Sequence, residues 1–146
     1  TPDPTVESVI AADLPALAAL DLRAMGGRRS DLLAHLARRL PALALLQRSG
    51  REVAGFCLAR DGRTATQIGP VVADDPAIAG ALIETALSRL GTGPVLIDLN
   101  DRQDGLRRHL EGLGFVAERP FHRMIRGAVP AHDAQRYIAA AGPELA

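Results

Sequence analysis

The chain has 146 residues, with 17 basic and 17 acidic side chains and therefore a formal net charge of zero. At 47% hydrophobic and 23% charged residues it has the composition of a globular protein, and its length predicts one domain over residues 1–146, either whole or as a piece of a longer polypeptide. The neutral charge balance argues against a nucleic-acid partner, and no apolar run approaches the roughly 18 residues of a membrane helix.

The first elements alternate between a strand period and a helix period. Residues 6–10 are predicted to form a short strand, and residues 11–25 and 30–39 are predicted to form two helices. Gly26 and Gly27 separate the two helices, because glycine readily ends a helix. Asp21 and Arg29 lie on either side of this break, and we expect them to form a salt bridge that stabilises the connection.

The middle of the chain changes to the period of a strand. Residues 42–47, 52–60 and 64–72 are predicted strands. The first two are joined by Ser49-Gly50-Arg51, and the next turn contains Asp61-Gly62, which is a strong hairpin signal. Three strands on such short turns indicate an antiparallel meander.

A strand, helix, strand sequence follows the meander. Asp75 is predicted to be the N-cap of a helix from Pro76 to Leu90, with proline at its first position. Residues 94–100 form a nearly continuous apolar run, which is typical of a strand covered on both faces. Because a helix joins them, the strands over residues 64–72 and 94–100 are predicted to be parallel. The fold class is therefore α/β (α+β) with a mixed sheet.

The last third of the chain is predicted to contain two helices and two strands. Asn100 is expected to cap a helix that ends at Glu111, with Gln103 completing a capping box. Residues 115–127 are predicted to form two short strands around Arg119-Pro120, and residues 133–141 a C-terminal helix. The predicted order of elements is β-α-α-β-β-β-α-β-α-β-β-α.

This order, with "LGF" after the penultimate helix, resembles the GNAT superfamily of acetyl-CoA-dependent N-acetyltransferases. The likeness covers nearly the whole chain and is greatest to the C-terminal GNAT-like module of bacterial proteins that carry two such modules in tandem. It rests on the stretches "DLRAMGGRR", "AGFCLARDGRTATQIGPVVADDPAIAGALI", "PFHRMIRG" and "AGPELA". The resemblance implies a mixed sheet with an antiparallel meander, one parallel βαβ step and helices on both faces. It also implies direct acetyl transfer to a primary amine of a small molecule or peptide.

The resemblance further implies a site for acetyl-CoA at the start of the helix from Pro76 to Leu90. In GNAT enzymes the preceding strand bonds the pantetheine arm, and the turn holds the pyrophosphate with free backbone N–H groups at a helix N-terminus. The corresponding residues of this sequence are Gly69, Val71, Val72, Ala73, Ala77, Ile78, Ala79, Gly80 and Asn100.

Two features depart from the family pattern. Ala77 and Ala79 stand where the GNAT turn has glycines, and Asp74 and Asp75 bring two carboxylates to the place of the phosphates, where like charges repel. Leu110 occupies the position of a tyrosine that protonates the leaving thiolate in many GNAT enzymes. These departures support a second hypothesis, a non-catalytic GNAT-like module with a degenerate CoA site that serves a partner domain or an oligomer interface.

Asp98 and Tyr137 are the candidate catalytic residues. Asp98 interrupts an apolar strand and is either a hydrogen-bonded carboxylate at the strand's end or a general base for the incoming amine. Tyr137 is the only tyrosine in the chain. In the family the acceptor lies near the break between the first two helices, and the substrate-binding candidates are Met25, Gly26, Arg29, His122 and Arg123. The partner is then an amine acceptor, with a homodimer or a tandem GNAT domain as a further partner.

Cys57 is the only cysteine, so an internal disulfide is excluded and a reducing, cytoplasmic location is expected. We expect it to be a buried strand residue rather than a nucleophile, because GNAT chemistry needs no thiol. The histidines His35, His109 and His132 are widely spaced in the sequence, and the sequence predicts no metal site.

Overall fold

The computed structural model of the protein describes residues 2–145. Its sheet consists of β1 (Val6–Ser8), β2 (Leu45–Ser49), β3 (Glu52–Asp61), β4 (Thr66–Ala73), β5 (Val95–Leu99) and β6 (Tyr137–Ala140). Its α-helices are α1 (Leu14–Met25), α2 (Ser30–Arg39), α3 (Pro76–Leu90) and α4 (Asp104–Gly112). Short 3-10 turns precede α1, precede β2 and follow β6.

The first four strands form an antiparallel array, and β5 joins it in parallel. In the meander Leu45 of β2 pairs with Cys57 of β3, which pairs in turn with Val71 of β4. Helix α3 then carries the chain back, so that Gln67 of β4 lies opposite Leu96 of β5 in a parallel pair. The predicted mixed sheet, with a meander and one parallel βαβ step, is confirmed.

Helices cover both faces of the sheet, as predicted. One apolar cluster contains Leu82 of α3 and Leu110 of α4 and rests on the sheet face that we call the α3 face. The other contains Leu17 of α1 and Leu33 of α2 and rests on the opposite face, the α1 face. Successive residues of a strand point to opposite faces, so β3 contributes Cys57 to the first cluster and Phe56 to the second.

Helix α3 has the bounds that the sequence predicts, because its ends are encoded locally. Asp75 has an extended backbone, and its Oδ1 accepts a hydrogen bond of 2.6 Å from the backbone N–H of Ala77. Pro76 follows at the first helical position. An N–H at this position has no partner within the helix, so proline loses no hydrogen bond there. Gly91, with a positive φ of 70°, ends the helix. The predicted N-cap is confirmed.

The chain after α4 differs from the sequence prediction. Residues 115–127 contain no strand, and residues 137–140 form strand β6 rather than part of a C-terminal helix. The alanines of this segment favour a helix locally, but Ile138, Ala139 and Ala141 are fully buried against the sheet. Both predictions were therefore wrong, and tertiary packing decides the conformation of this segment.

The predicted capping box before α4 was also wrong. Helix α4 begins at Asp104, too far along the chain for Asn100 to cap it. The Nδ2 of Asn100 instead donates to the carbonyls of Ala134 and Tyr137, at 3.2 and 3.0 Å. The Nε2 of Gln103 donates to another carbonyl of the same segment at 3.1 Å. These two amides therefore hold the turn that leads into β6.

Candidate functional site

Strands β4 and β5 diverge, and β6 lies in the gap between them. The parallel pairing begins with Thr66 opposite Val95 and ends with Ile68 opposite Ile97. Further along, Val71 of β4 and Leu99 of β5 both pair with Ala139 of β6. A residue that pairs with a strand on each side lies between them, so the chain itself closes this gap.

The backbone groups that face the gap are bonded to β6 and the residue before it. The N–H of Ala73 donates to the carbonyl of Arg136 at 3.0 Å, and the N–H of Asn100 donates to the carbonyl of Ile138 at 2.9 Å. These bonds anchor the segment to both neighbouring strands. The backbone positions that the resemblance assigns to the pantetheine arm are thus used within the protein.

The predicted cofactor residues of β4 are buried around this junction. Gly69 has a positive φ of 146°, and a Cβ atom there would lie 1.8 Å from the carbonyl oxygen of Ala140. Only glycine permits so close an approach of β6. Val71 is buried on the α3 face and Val72 on the α1 face. In this fold these residues contact the protein's own chain.

The turn between β4 and α3 holds two carboxylates and few free donors. The N–H of Asp74 donates to the carbonyl of Ala54 at 2.8 Å, and the N–H of Ala77 donates to the Asp75 side chain. The Asp74 carboxylate accepts a bond of 2.7 Å from Nε of Arg136. Two of the donors that a phosphate could use at this helix start are therefore already engaged.

A groove of about 700 Å³ lies beside this turn, between α3 and α4. The predicted cofactor residues Ala77 and Gly80 line it, together with Asp3, Glu84 and His109. His109 and Glu84 are bonded to each other, with 2.6 Å between Nε2 and Oε1. Among residues 2–145 no lysine or arginine lines this groove, so it offers an anion little electrostatic attraction.

The remaining predicted cofactor residues of α3 serve its packing. Ala79 is fully buried in the cluster on the α3 face. Ile78 contacts β3 at Gly55, where an added Cβ atom would lie 2.6 Å from Cγ2 of Ile78. Both residues therefore hold the helix against the sheet.

A group of polar side chains lies on the α1 face, and we call Asp21, Arg29, Tyr137 and Asp98 the polar cluster. Nε and Nη2 of Arg29 donate to the two carboxylate oxygens of Asp21, at 2.7 and 2.8 Å. The Asp21 side chain is 1% exposed and that of Arg29 is 12% exposed. The predicted salt bridge is confirmed. Because the pair is buried, removal of either side chain would leave the charge of the other buried and uncompensated.

Two buried atoms of the polar cluster have no hydrogen-bond partner within residues 2–145. They are Nη1 of Arg29 and the hydroxyl oxygen of Tyr137. Burial raises the pKa of Tyr137, and the charges of Arg29 and Arg123 counteract the rise. The phenol therefore remains protonated at neutral pH and is available as a donor.

Asp98 lies half-buried at the junction of β5 and β6. Its Oδ2 accepts a bond of 3.1 Å from Nε2 of Gln67. Burial raises the pKa of Asp98, and the bond from Gln67 counteracts the rise. Arg60 lies nearby and forms an ion pair with Glu144. A carboxylate with a raised pKa suits a proton acceptor, but the structure also gives Asp98 a structural hydrogen bond.

The residues at the end of α1 are covered by the segment before β6. Gly26 ends the helix with a positive φ of 77°, and a Cβ atom there would lie 2.2 Å from the carbonyl oxygen of Ala131. The N–H of Asp133 donates to the carbonyl of Arg23 at 3.2 Å. Met25, the last residue of the helix, is buried. The connection between α1 and α2 is therefore tied to residues 131–133.

His122 and Arg123 lie in the irregular segment, not in the strand that the sequence predicts. Both side chains are exposed. The positive charge of Arg123 acts to lower the pKa of Tyr137. Gln67 and Arg60 were not among the predicted site residues. Each lies beside another polar residue at the end of its strand, Thr66 and Asp61 respectively, where a polar side chain is ordinary and gives no signal.

Three observations bear on other kinds of site. Within residues 2–145 no group of three or more His, Cys, Asp or Glu side chains is arranged to hold a metal ion. None of the helices in that range combines the length and apolarity needed to cross a membrane. Cys57 is fully buried, and burial raises the pKa of its thiol to about 12, so it remains a protonated packing residue.

Comparison with known proteins identifies relatives of this fold. Residues 17–139 match the sequence profile of a family described as "Acetyltransferase (GNAT) domain". Among curated proteins none is similar enough in sequence to count as a match.

Several solved structures resemble the chain. Ard1 from Thermoplasma volcanium is 19% identical with a TM-score of 0.64, over 79% of this chain and 84% of that chain. Wild-type TTHA1254 from Thermus thermophilus is 22% identical with a TM-score of 0.58, over 84% of this chain and 95% of that chain. A GCN5-related N-acetyltransferase from Sphaerobacter thermophilus is 23% identical with a TM-score of 0.51, over 62% of this chain and 34% of that chain. At such identities these likenesses show the fold alone.

Proposed function

The chain belongs to the GNAT acetyltransferase domain family, and from that premise we propose that it is a non-catalytic GNAT-like module that serves a partner domain. The observation that carries this proposal is the position of β6. Ala139 pairs with β4 on one side and with β5 on the other, in the gap where the family resemblance implies the pantetheine arm. Ile138 is fully buried, so β6 is part of the core and not a loosely held tail.

Acetyl-CoA does not fit this gap while β6 occupies it. The pantetheine arm needs free backbone groups on β4, and the N–H of Ala73 is bonded to Arg136. The pyrophosphate needs free donors at the start of α3, and the Asp75 side chain takes the N–H of Ala77. Asp74 adds a second negative charge, and a like-charge pair costs about 1 kcal/mol at 4 Å in water and more as the site dries.

The outer part of the sheet supports the partner side of the proposal. Within residues 2–145, β5 pairs with β4 and β6 in the gap, and its other edge has no strand beside it. Leu96 of this strand is 43% exposed. A groove of about 650 Å³ at the start of β5 is lined by Val95 and Val116, among others. An open strand edge beside exposed apolar side chains is typical of a protein interface.

We assign this surface to a second GNAT domain, in the same polypeptide or in a homodimer. A GNAT-like fold within a longer protein has a parallel in the Sphaerobacter thermophilus structure, of which the matched region covers 34%. A single buried cysteine supports a cytoplasmic location.

Titration calorimetry with acetyl-CoA, combined with amide hydrogen exchange, tests the proposal. We expect no saturable heat, and slow exchange at the amides of Ala73 and Asn100 that the cofactor does not change, because both donate to the β6 segment. The amides of β3 serve as an internal control. Saturable binding accompanied by faster exchange at Ala73 and Asn100 would show that the cofactor displaces β6, and the proposal would fail.

A second candidate function is acetyl-CoA-dependent N-acetyl transfer, directly to a primary amine of a small molecule or peptide. The observation that favours it is Asp98, a half-buried carboxylate whose pKa is raised by burial and which lies at the end of β5 beside the gap. This function requires that β6 leaves the gap when the cofactor binds.

Acetylation of a panel of amines would test this second candidate. The wild type should release free thiol from acetyl-CoA in the presence of an amine, and Asp98→Asn should lower that rate without changing cofactor affinity. The double variant Asp74→Arg, Asp75→Gly should bind acetyl-CoA more tightly, because it removes both carboxylates from the turn. Absence of turnover with every amine, in wild type and double variant alike, would eliminate the candidate.

A further inference from the structure

The two edge strands of the sheet differ in how well they are protected against pairing with another chain. At one edge β1 is only three residues long, and its middle residue, Glu7, is charged. At the other edge β5 has five residues, of which only Asp98 is charged, and no strand of residues 2–145 lies beside its outer side. Short or charged edges resist edge-to-edge pairing, so β5 is the edge that remains open to it.

Alternate residues of β5 direct their backbone groups to this outer side. The carbonyl of Pro94 accepts a hydrogen bond of 3.0 Å from β4, and the N–H of Asn100 donates one of 2.9 Å to β6. The even-numbered residues of the strand therefore face the sheet. Because successive residues of a strand direct their backbone groups to opposite sides, the odd-numbered residues face outward. These are Val95, Ile97 and Leu99.

Exposed apolar side chains are concentrated near the same edge. The part of the chain that the structure describes exposes nine large apolar side chains, and seven of them belong to residues 96–129. The seven are Leu96, Leu113, Val116, Phe121, Met124, Ile125 and Val129. A concentration of exposed apolar side chains marks a surface that another protein covers.

Residues 117–129, which we call the arginine segment, connect the start of β5 to its end. Just before the segment, Phe115 and Val116 line the groove of about 650 Å³ at the start of β5, which we call the β5 groove. Just after it, the carbonyl of Ala134 accepts a bond of 3.2 Å from Nδ2 of Asn100, the residue that follows β5. All residues of the segment are exposed, and over the described range none of them makes a backbone hydrogen bond to β5. The segment is therefore accessible to a partner along the length of the strand.

The β5 groove favours a positively charged group. Its lining includes Glu84, which is bonded to His109, and no lysine or arginine. Leu90 and Gly91 at the end of α3 also line it, and among residues 2–145 no backbone N–H from beyond this helix bonds to a carbonyl of its last turn. Free carbonyls give the end of a helix a partial negative charge. A cation of a partner can therefore bind at this end of the groove.

The arginine segment carries the complementary charge. It contains Arg119, Arg123 and Arg126, and its only acidic residue is Glu118. Within the described residues none of the three arginines forms a salt bridge. The chain thus exposes a basic, partly apolar segment and an apolar groove with a negative end on the same edge of its sheet.

We infer that two copies of this chain associate through the outer edges of β5, in antiparallel orientation, with the arginine segment of each copy covering the β5 groove of the other. In an antiparallel pair the start of one strand lies beside the end of its partner. A twofold arrangement therefore brings each groove to the later part of the other copy's segment, which leads to the end of β5. This inference rests on the proposed function, which assigns the surface to a second GNAT domain, and it identifies that domain as a second copy of the chain.

Sedimentation equilibrium over a range of protein concentrations tests the association. We expect the mass to rise from that of one chain to that of two and no further, because a twofold contact is closed. Leu96→Glu adds a carboxylate to the same edge as Asp98, so the dissociation constant should rise by roughly tenfold or more through like-charge repulsion.

Ile10→Glu is the matched control, because it makes a similar change at a 63% exposed side chain near the opposite edge. It should associate as the wild type does. A wild type that stays monomeric at every concentration would overturn the inference, and so would equal association of the wild type and Leu96→Glu.

A pair of charge variants tests which surfaces meet. Leu113→Arg places a positive charge in the β5 groove at a side chain that is 51% exposed, and the double variant Arg123→Glu, Arg126→Glu makes the segment negative. Each variant alone should be monomeric, because its groove and its segment then repel each other. An equimolar mixture should form a dimer, since each groove then meets a segment of opposite charge. A mixture that stays monomeric, or either variant dimerising alone, would overturn the assignment of these surfaces.

The titration with acetyl-CoA is independent of these measurements. A monomeric chain that binds no acetyl-CoA would overturn this inference and leave the non-catalytic role in place. A dimer that binds acetyl-CoA with displacement of β6 would do the reverse.

Discussion

The two faces of the sheet carry different chemistry. The α3 face is covered by an apolar cluster to which α3, α4 and the strands contribute aliphatic side chains. The α1 face has an apolar cluster of its own, but beside it lie the buried pair Asp21–Arg29 and the half-buried Tyr137 and Asp98. Apolar packing favours folding outright, whereas buried polar groups do so only when they are paired. The comparison teaches that the α3 face is held by apolar packing, whereas the stability of the α1 face also depends on the pairing of buried charges.

The largest expected effect comes from breaking the buried ion pair on the α1 face. Arg29→Leu leaves the Asp21 carboxylate buried without a partner and should lower the free energy of unfolding by about 3–5 kcal/mol. Denaturation in urea would measure it. Arg39→Leu, at an exposed pair with Asp61, should cost at most about 1 kcal/mol. The double variant Asp21→Asn, Arg29→Leu should recover part of the loss, and failure to recover any would contradict the role given to the charge.

The second effect tests whether β6 belongs to the core of the α3 face. Ile138→Ala should lower the free energy of unfolding by about 2–5 kcal/mol, because the side chain is fully buried between the strands and α3. Ile125→Ala makes the same chemical change in the irregular segment, where the side chain is 43% exposed, and should cost much less. Equal losses in urea denaturation would mean that β6 is not packed as described.

The smallest effect is a pH dependence that arises from Asp98. Burial raises its pKa in the folded protein above the ordinary value of 3.8, so the folded state holds the proton more tightly than the unfolded state. The ionised side chain therefore lowers stability at neutral pH, and this loss is regained as the pH falls through the folded pKa towards 3.8.

Asp98→Asn keeps an oxygen for the hydrogen bond from Gln67 and removes the charge. The variant should be slightly more stable than the wild type at pH 7, and the difference should shrink towards zero as the pH is lowered. Thermal midpoints of both proteins over a series of pH values would measure this. A difference that stays constant with pH would show that the charge of Asp98 is not its cause.

Local signals explain most of what the sequence predicted. The bounds of α3 follow from Asp75-Pro76 at one end and Gly91 at the other. The pair Asp21–Arg29 follows from two opposite charges on either side of a glycine break. Each of these features depends on residues that are close in sequence, so patterns of periodicity and capping are sufficient to find it.

The end of the chain could not be predicted in the same way. The alanines after Tyr137 favour a helix, and only the open gap between β4 and β5, which is a property of distant residues, makes the segment a strand. Residues 115–127 alternate as a strand would, yet they form no strand, although the outer edge of β5 has no strand beside it within residues 2–145. The polar cluster combines Asp21, Arg29, Asp98 and Tyr137, which come from different elements. Only the folding of the whole sheet brings these elements together, so local sequence patterns could not predict the cluster.

The central place of β6 also determines the order in which the sheet can be completed. Its residues are synthesised tens of positions after both of the strands that it joins. Until they arrive, β4 and β5 present unpaired edges in the middle of the sheet, and contacts that close over such long separations form slowly. A nascent or truncated chain that lacks Tyr137–Ala140 would expose both edges to other chains. A chain that lacks only this strand is therefore expected to aggregate more readily than the complete chain.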